Sequence, residues 1–289
     1  MALTLWLALQ GLTLGMIWFL IASGLSLIFG LMDVLNFAHG AFYMLGAYVA
    51  LTIYVHTGSF IVAIIGGAVF GAVLGAVIEA LAIRPLYGRP TFQILMTLGL
   101  ILVFDEGVQA IWGPYPLVFP MPAVLTGTLN LLDRPFPTYR VFIIVMGLLI
   151  WLALHLFLTR TRLGITVRAG VENREMVQAL GVNIKLIFTL VFALGGLLAA
   201  LGGAIAGPFE GAHPLLAAEN LLPAFIVVVV GGLGSFNGSA IAAILVGLCQ
   251  SFVAYYEPGL ALAVNVGLMA LVLMIKPEGL MGIKGVGDR

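Results

Sequence analysis

Charged side chains punctuate this chain at wide intervals, and most of the stretches between them are long enough to cross a lipid bilayer. A membrane helix needs about 20 largely apolar residues. Residues 1–32 carry no charge, and 34–78 is uncharged and long enough to cross twice, with a turn expected at His56, Thr57, Gly58 and Ser59. The run 91–112 follows, interrupted late by Asp105 and Glu106, and 141–159 and 186–209 are further spans. Residues 221–256 exceed one crossing and are broken by GGLGSFNG at 231–238, after which 261–275 closes the series. These runs are continuously apolar rather than alternating, so they predict helices and not membrane strands. The expected fold is all-α: a polytopic transmembrane helix bundle of about 8–9 segments, one or two of them broken or re-entrant, forming a single domain over residues 1–289.

Composition sharpens this picture. With 62% hydrophobic and 8% charged residues the chain lies outside the range of soluble domains. A formal net charge of zero gives no reason to expect a nucleic-acid partner. The N-terminal run lacks a basic leader region and is too long for a cleaved signal, so a retained span is expected. Cys249 stands alone in an apolar run, where it reads as packing.

The twelve cations are distributed unevenly. Arg84 and Arg89 fall in one loop, Arg160, Arg162, Arg168, Arg174 and Lys185 in another, and Lys276, Lys284 and Arg289 at the C-terminus. Lys and Arg in short loops stay cytoplasmic, which predicts a cytoplasmic loop at about 160–185 and a cytoplasmic C-terminus. The alternate loops hold Arg134 and Arg140 with Asp133, Glu210, Glu219 and Glu257, and the proline-rich loop at about 113–139 is expected outside. The side of the N-terminus stays open, because a re-entrant segment near Asn36 reverses the parity of crossings.

Candidate chemistry concentrates in three places. The stretch FGLMDVLNFAHGAFYMLGAY, 29–48, sets Asp33, Asn36, His39 and Gly40 in apolar surroundings. Polar groups at membrane depth are costly and face a cavity or a partner, so Asn36, His39 and Gly40 are candidates for a substrate pathway or its gate. For Asp33 an interfacial helix cap is the preferred reading. GGLGSFNG, with Asn237, is either a second broken segment of that pathway or a plain tight turn on the cytoplasmic side. The third place, 160–185, is the most polar stretch; Glu172 to Leu180 predicts a short helix with Met176, Val177 and Leu180 on one face. So short a helix is marginal alone and needs something to dock on.

Several chemistries find no motif here. There is no GxxxxGK[ST], GxSxG or HExxH, no Cys/His metal spacing, and His39, His56, His155 and His213 are scattered. No catalytic residue, metal site or cofactor is therefore expected.

With these motifs in hand, the chain resembles the branched-chain amino acid permeases of bacterial ATP-driven (ABC) importers, the LivH type. The matching pieces are 11–48, IRPLYGRP at 83–90, TRLGITVRAGVENREMVQALGVN at 161–183, Ala206 to Pro208, 229–247 and KPEGLMG at 276–282. The resemblance implies a multi-pass protein of the bacterial inner membrane. Its implied partners are a second permease subunit of the same family, two cytoplasmic ATP-binding subunits that hydrolyse the ATP, and an extracytoplasmic solute-binding protein. It also implies that the loop carrying Arg168, Glu172, Asn173, Arg174 and Glu175 couples to those ATPases. Branched-chain or related amino acids are the expected cargo, with urea and amides as other solutes of the same family. A competing reading from another class is a stand-alone channel or secondary transporter for a small polar solute.

Overall fold

The computed structural model describes residues 2–131 and 134–282; Asp133, Lys284 and Arg289 from the charge pattern above lie outside the described residues. Helix α1 spans Ala2–Met32, α2 His39–Thr57 and α3 Phe60–Ile78, with the predicted turn at Gly58 and Ser59 between the last two. Then follow α4 (Pro90–Trp112), a hairpin of β1 (Thr128–Leu131) and β2 (Arg134–Pro137), α5 (Thr138–Arg160), α6 (Arg162–Glu172) and α7 (Arg174–Ala179). The chain ends in α8 (Ile184–Glu210), α9 (Leu216–Gly231), α10 (Phe236–Tyr256) and α11 (Ala261–Ile275). The antiparallel hairpin is the departure from the all-helical expectation among the described residues, and it sits in the loop read as irregular.

Among the described residues, six helical stretches are long and apolar enough to cross a membrane: α1, α3 with its extension to Leu86, α4, α5, α8 and α10. The remaining apolar helices are α2, and α9 and α11 at 16 and 15 residues. The helix boundaries match the apolar runs, because backbone groups in hydrocarbon have no partner but the helix itself.

Helix α1 is the axis of the bundle, buried on every side from Gly15 to Ile28 and walled by α8, α10, α9 and α5. Lipid is as apolar as any core, so close association rests on backbone approach and van der Waals contact. The small residues supply that approach: a Cβ at Gly11 would stand 2.7 Å from the Gly247 carbonyl, and one at Gly75 2.8 Å from that of Phe192. At the other extreme, α4 buries only Gln93, Thr97 and Val108 among its residues and turns Phe92, Leu95, Leu102 and Ile111 outward.

The two ends of the bundle differ in chemistry. At one, Trp6 donates to the Pro135 carbonyl, Leu117 bridges Ala212, and Tyr54, Phe60, Phe119, Tyr139 and Phe142 form a chain of aromatic contacts. The N-terminus of α1 and the 113–137 loop share this end. The opposite end collects Arg84, Arg89, α6, α7, Lys185 and Lys276, tied together by contacts of Leu31 with Gly170 and of Gly232 with Glu278 and Gly282. Among the described residues, it holds the cations that the spacing of charges assigned to one side.

Candidate functional site

The break between α1 and α2 is built by one backbone reversal. Asp33 adopts φ 53, the only positive φ outside glycine among the described residues, while its N–H bonds the Phe29 carbonyl at 2.9 Å and closes the last turn of α1. The chain then turns back into the bundle. His39 Nε2 lies 3.1 Å from the carbonyl of Ile21, which stands about three turns up α1 from Met32. Residues 33–38 are therefore re-entrant, and α2 begins inside the bundle. Gly40 permits this start, since a Cβ there would sit 2.5 Å from the Ala217 carbonyl of α9.

The polar groups of this break are incompletely satisfied. Asn36 is 2% exposed, and neither its Oδ1 nor its Nδ2 has a hydrogen-bond partner; His39 Nδ1 is likewise buried and unpartnered. Asn36 faces a cavity of about 360 Å³, walled by Leu25, Leu35 and Phe37 on one side and by Ala218, Leu221, Leu222 and Phe225 of α9 on the other. Buried polar atoms nearly always find partners, so two orphaned atoms on one amide beside a cavity are exceptional.

The second element is the arm at the basic end. Thr161 caps α6 by accepting from the Gly164 N–H at 3.0 Å, and Asn173 caps α7 by accepting from the Met176 N–H at 2.9 Å. The sequence predicted one helix from Glu172 to Leu180. Instead Glu172 ends α6, Asn173 stands extended at φ −155, and α7 starts at Arg174, because an Asn side chain competes for the N–H groups of a new helix start. Val177 faces inward, while Leu163, Ile165, Met176 and Leu180 are 47–77% exposed. Arg174 reaches back to Asp33 with an N–O distance of 3.0 Å, joining this arm to the re-entrant break. Glu175 sits in the first turn of α7, away from that pair.

Asn237 lies apart from Asn36. It lines a groove of about 360 Å³ with Arg168, Glu172, His155, Thr159 and Ser235, at the basic end. GGLGSFNG is a turn in which Gly232 and Gly234 take φ 103 and 80, and Ser235 caps α10 through the Gly238 N–H. The Leu280 and Met281 N–H groups bond the carbonyls of Val230 and Gly231 at 2.8 and 2.9 Å, which satisfies the open end of α9.

The partners of two carboxylates, one buried and one half-buried, escaped the sequence reading, which placed ionisable groups in loops or near span ends. Glu210, the last residue of α8, accepts from Tyr43 at 2.7 Å and Asn220 at 3.1 Å, linking three helices. Glu79, fully buried on a five-residue π-helical turn after α3, accepts from Arg84, Thr189 and Tyr87. The signals were present as a glutamate ending the AIAGPFE run and one beginning the EALAIRPLY run. Nothing local shows which distant helix answers each.

Comparison with known proteins places this architecture. Residues 7–275 match the family model described as "Branched-chain amino acid transport system / permease component". The chain is 29% identical to the high-affinity branched-chain amino acid transport system permease protein LivH of Escherichia coli K12, across 94% of each chain. It is 30% identical to the corresponding protein BraD of Pseudomonas aeruginosa, again across 94% of each. A probable branched-chain amino acid transport permease LivH of Methanocaldococcus jannaschii is 28% identical over 91% of this chain and 88% of that one. A match running from the first turns of α1 to the end of α11 makes this chain a member of the branched-chain amino acid transport permease family.

Proposed function

We propose that this protein is the permease subunit of an ATP-binding-cassette importer and forms, with a second permease of the same family, the path for branched-chain or related amino acids. Two cytoplasmic ATP-binding subunits drive it, and an extracytoplasmic binding protein delivers the solute. The basic end is cytoplasmic, following the bias of Lys and Arg toward that side. The N-terminus of α1 is then external, and α1, α2, α3, α4, α5, α8, α9, α10 and α11 run as nine segments; the break 33–38 continues through α2 to the opposite end, so it makes one full crossing and does not reverse the parity.

The observation that carries this reading is the arm at the basic end. Among the described residues, Met176 at 59% exposure, on a six-residue helix too short to persist alone in water, and Leu180 at 77%, just past its end, have no apolar cover. An apolar face at the cytoplasmic side of a permease fits a groove on an ATPase. Arg168, Glu172, Asn173, Arg174 and Glu175 lie on the same arm, and the Arg174–Asp33 pair carries its movement to the break holding Asn36, His39 and Gly40. Asn237, beside Arg168 and Glu172, moves with the arm. Two packings of this bundle, biased by ATP, give alternating access.

Gentle solubilisation of the tagged chain is expected to recover two ATP-binding subunits and a second permease in stoichiometric amounts. Alanine at both Glu172 and Arg174 is expected to leave the bundle folded while separating ATP hydrolysis from uptake. A chain that emerges alone and moves solute into liposomes without ATP would defeat the importer reading.

A further inference from the structure

We infer that the cavity beside the re-entrant break is a transport subsite for a zwitterionic amino acid, in which Asn36 holds the amino and carboxylate groups and the α9 wall selects the aliphatic side chain. This rests on the importer reading above and assigns the selecting residues within the path.

The argument starts from the amide. Asn36 offers one acceptor, Oδ1, and one donor group, Nδ2, both unpartnered on a side chain that is 2% exposed. An occupant that satisfies both must bring a donor and an acceptor close together. An α-ammonium donating to Oδ1 and an α-carboxylate accepting from Nδ2 do so on adjacent carbons, with no charged side chain in the site. A lipid acyl chain would cover the apolar wall but leave both amide atoms unpaired, and water alone would answer the amide while wetting Leu221, Leu222 and Phe225.

Size and position agree. A cavity of about 360 Å³ lies at the small end of ligand pockets, which run on the order of 300–1,000 Å³. Its walls come from Leu25 of α1, from the segment 33–38, which is tied to the arm through Asp33 and Arg174, and from a face of α9 on which Leu222 is 58% exposed. Movement of the arm therefore shifts Asn36 against the α9 wall. A neutral amide head also binds weakly enough to release its cargo, which a conducting path requires.

The test uses the whole importer in proteoliposomes, with binding protein and each amino acid at saturation, and reads uptake of leucine and alanine beside stimulated ATP hydrolysis. Ala218→Phe fills the wall and is expected to cut leucine uptake about tenfold while alanine uptake stays within about twofold. Leu222→Ala enlarges the same wall and is expected to raise phenylalanine uptake relative to leucine. Asn36→Leu is expected to lower uptake of all three by about tenfold or more, with stimulated ATP hydrolysis retained. Equal changes for leucine and alanine in Ala218→Phe, together with an unmoved phenylalanine ratio in Leu222→Ala, would overturn the wall. Wild-type uptake by Asn36→Leu would overturn the head group. If the unaltered protein carries leucine without ATP, the importer reading falls alone, and the leucine-to-alanine ratio of Ala218→Phe still decides the subsite.

Discussion

The two interrupted helices of this bundle read alike in sequence, each a Gly-Leu followed shortly by an Asn, yet they end in opposite physical states. At 232–235 the turn is pinned by bonds and close packing: the C-terminal stretch donates to the carbonyls of α9, Ser235 caps α10, and Gly234 lies against Gly30 with no room for a side chain. At 33–38 the chain enters the bundle and leaves Asn36 and His39 with unanswered polar atoms beside a cavity. The first break is a packed joint, whereas the second keeps unpaired polar atoms beside a cavity. Glycine marks the first and a buried amide marks the second.

Substitutions at the two breaks should therefore move stability in opposite directions. The largest effect is expected from Gly232→Val, which forces a β-branched residue to φ 103 and drives its Cβ against Gly282 and Glu278. A loss of about 3 kcal/mol or more is expected, read as the disappearance of a monodisperse peak in detergent. Asn36→Leu reverses the sign. Removing a buried, unpartnered amide should leave the melting temperature unchanged or raise stability by about 1 kcal/mol, although uptake falls. A melting temperature lowered as far as that of Gly232→Val would show that Asn36 is a structural joint as well.

The smallest effect on stability is expected at the link between break and arm. Asp33 and Arg174 are each about half exposed, so separating them by Asp33→Asn should change stability by less than about 1 kcal/mol. Uptake should nevertheless drop severalfold at unchanged ATP hydrolysis. Exchanging the two charges, Asp33→Arg with Arg174→Asp, should restore part of the loss. Uptake equal to wild type in the single variant would remove the pair from the route between arm and break.

Much of this was legible in the chain. Apolar runs gave the helices because hydrocarbon leaves the backbone no alternative, and the cation spacing gave the basic end. Asn36 and His39 stood out because polar residues at membrane depth need a reason. What was hidden is pairing across distance. Hydropathy reports that a residue is buried but not against what, so Glu210 with Tyr43 and Asn220, and Glu79 with Thr189, were invisible despite lying in plain runs. The Asp33–Arg174 contact spans 141 positions, and Asp33 alone reads as a cap. Asn173 divided a predicted helix because capping, a local competition for N–H groups, overrode the apolar face.

The axial position of α1 also constrains how the protein is made. It is synthesised well before α10, against which Gly11 and Gly15 pack and which begins roughly 200 residues later, some ten to forty seconds at ordinary synthesis rates of about 5–20 residues per second. For that interval α1 must reside in the membrane without α10, the partner of its glycine face. Its uncharged sequence is thus a requirement of biogenesis as well as of the finished bundle, and the insertion machinery must hold or release a helix whose docking surface consists of bare glycines.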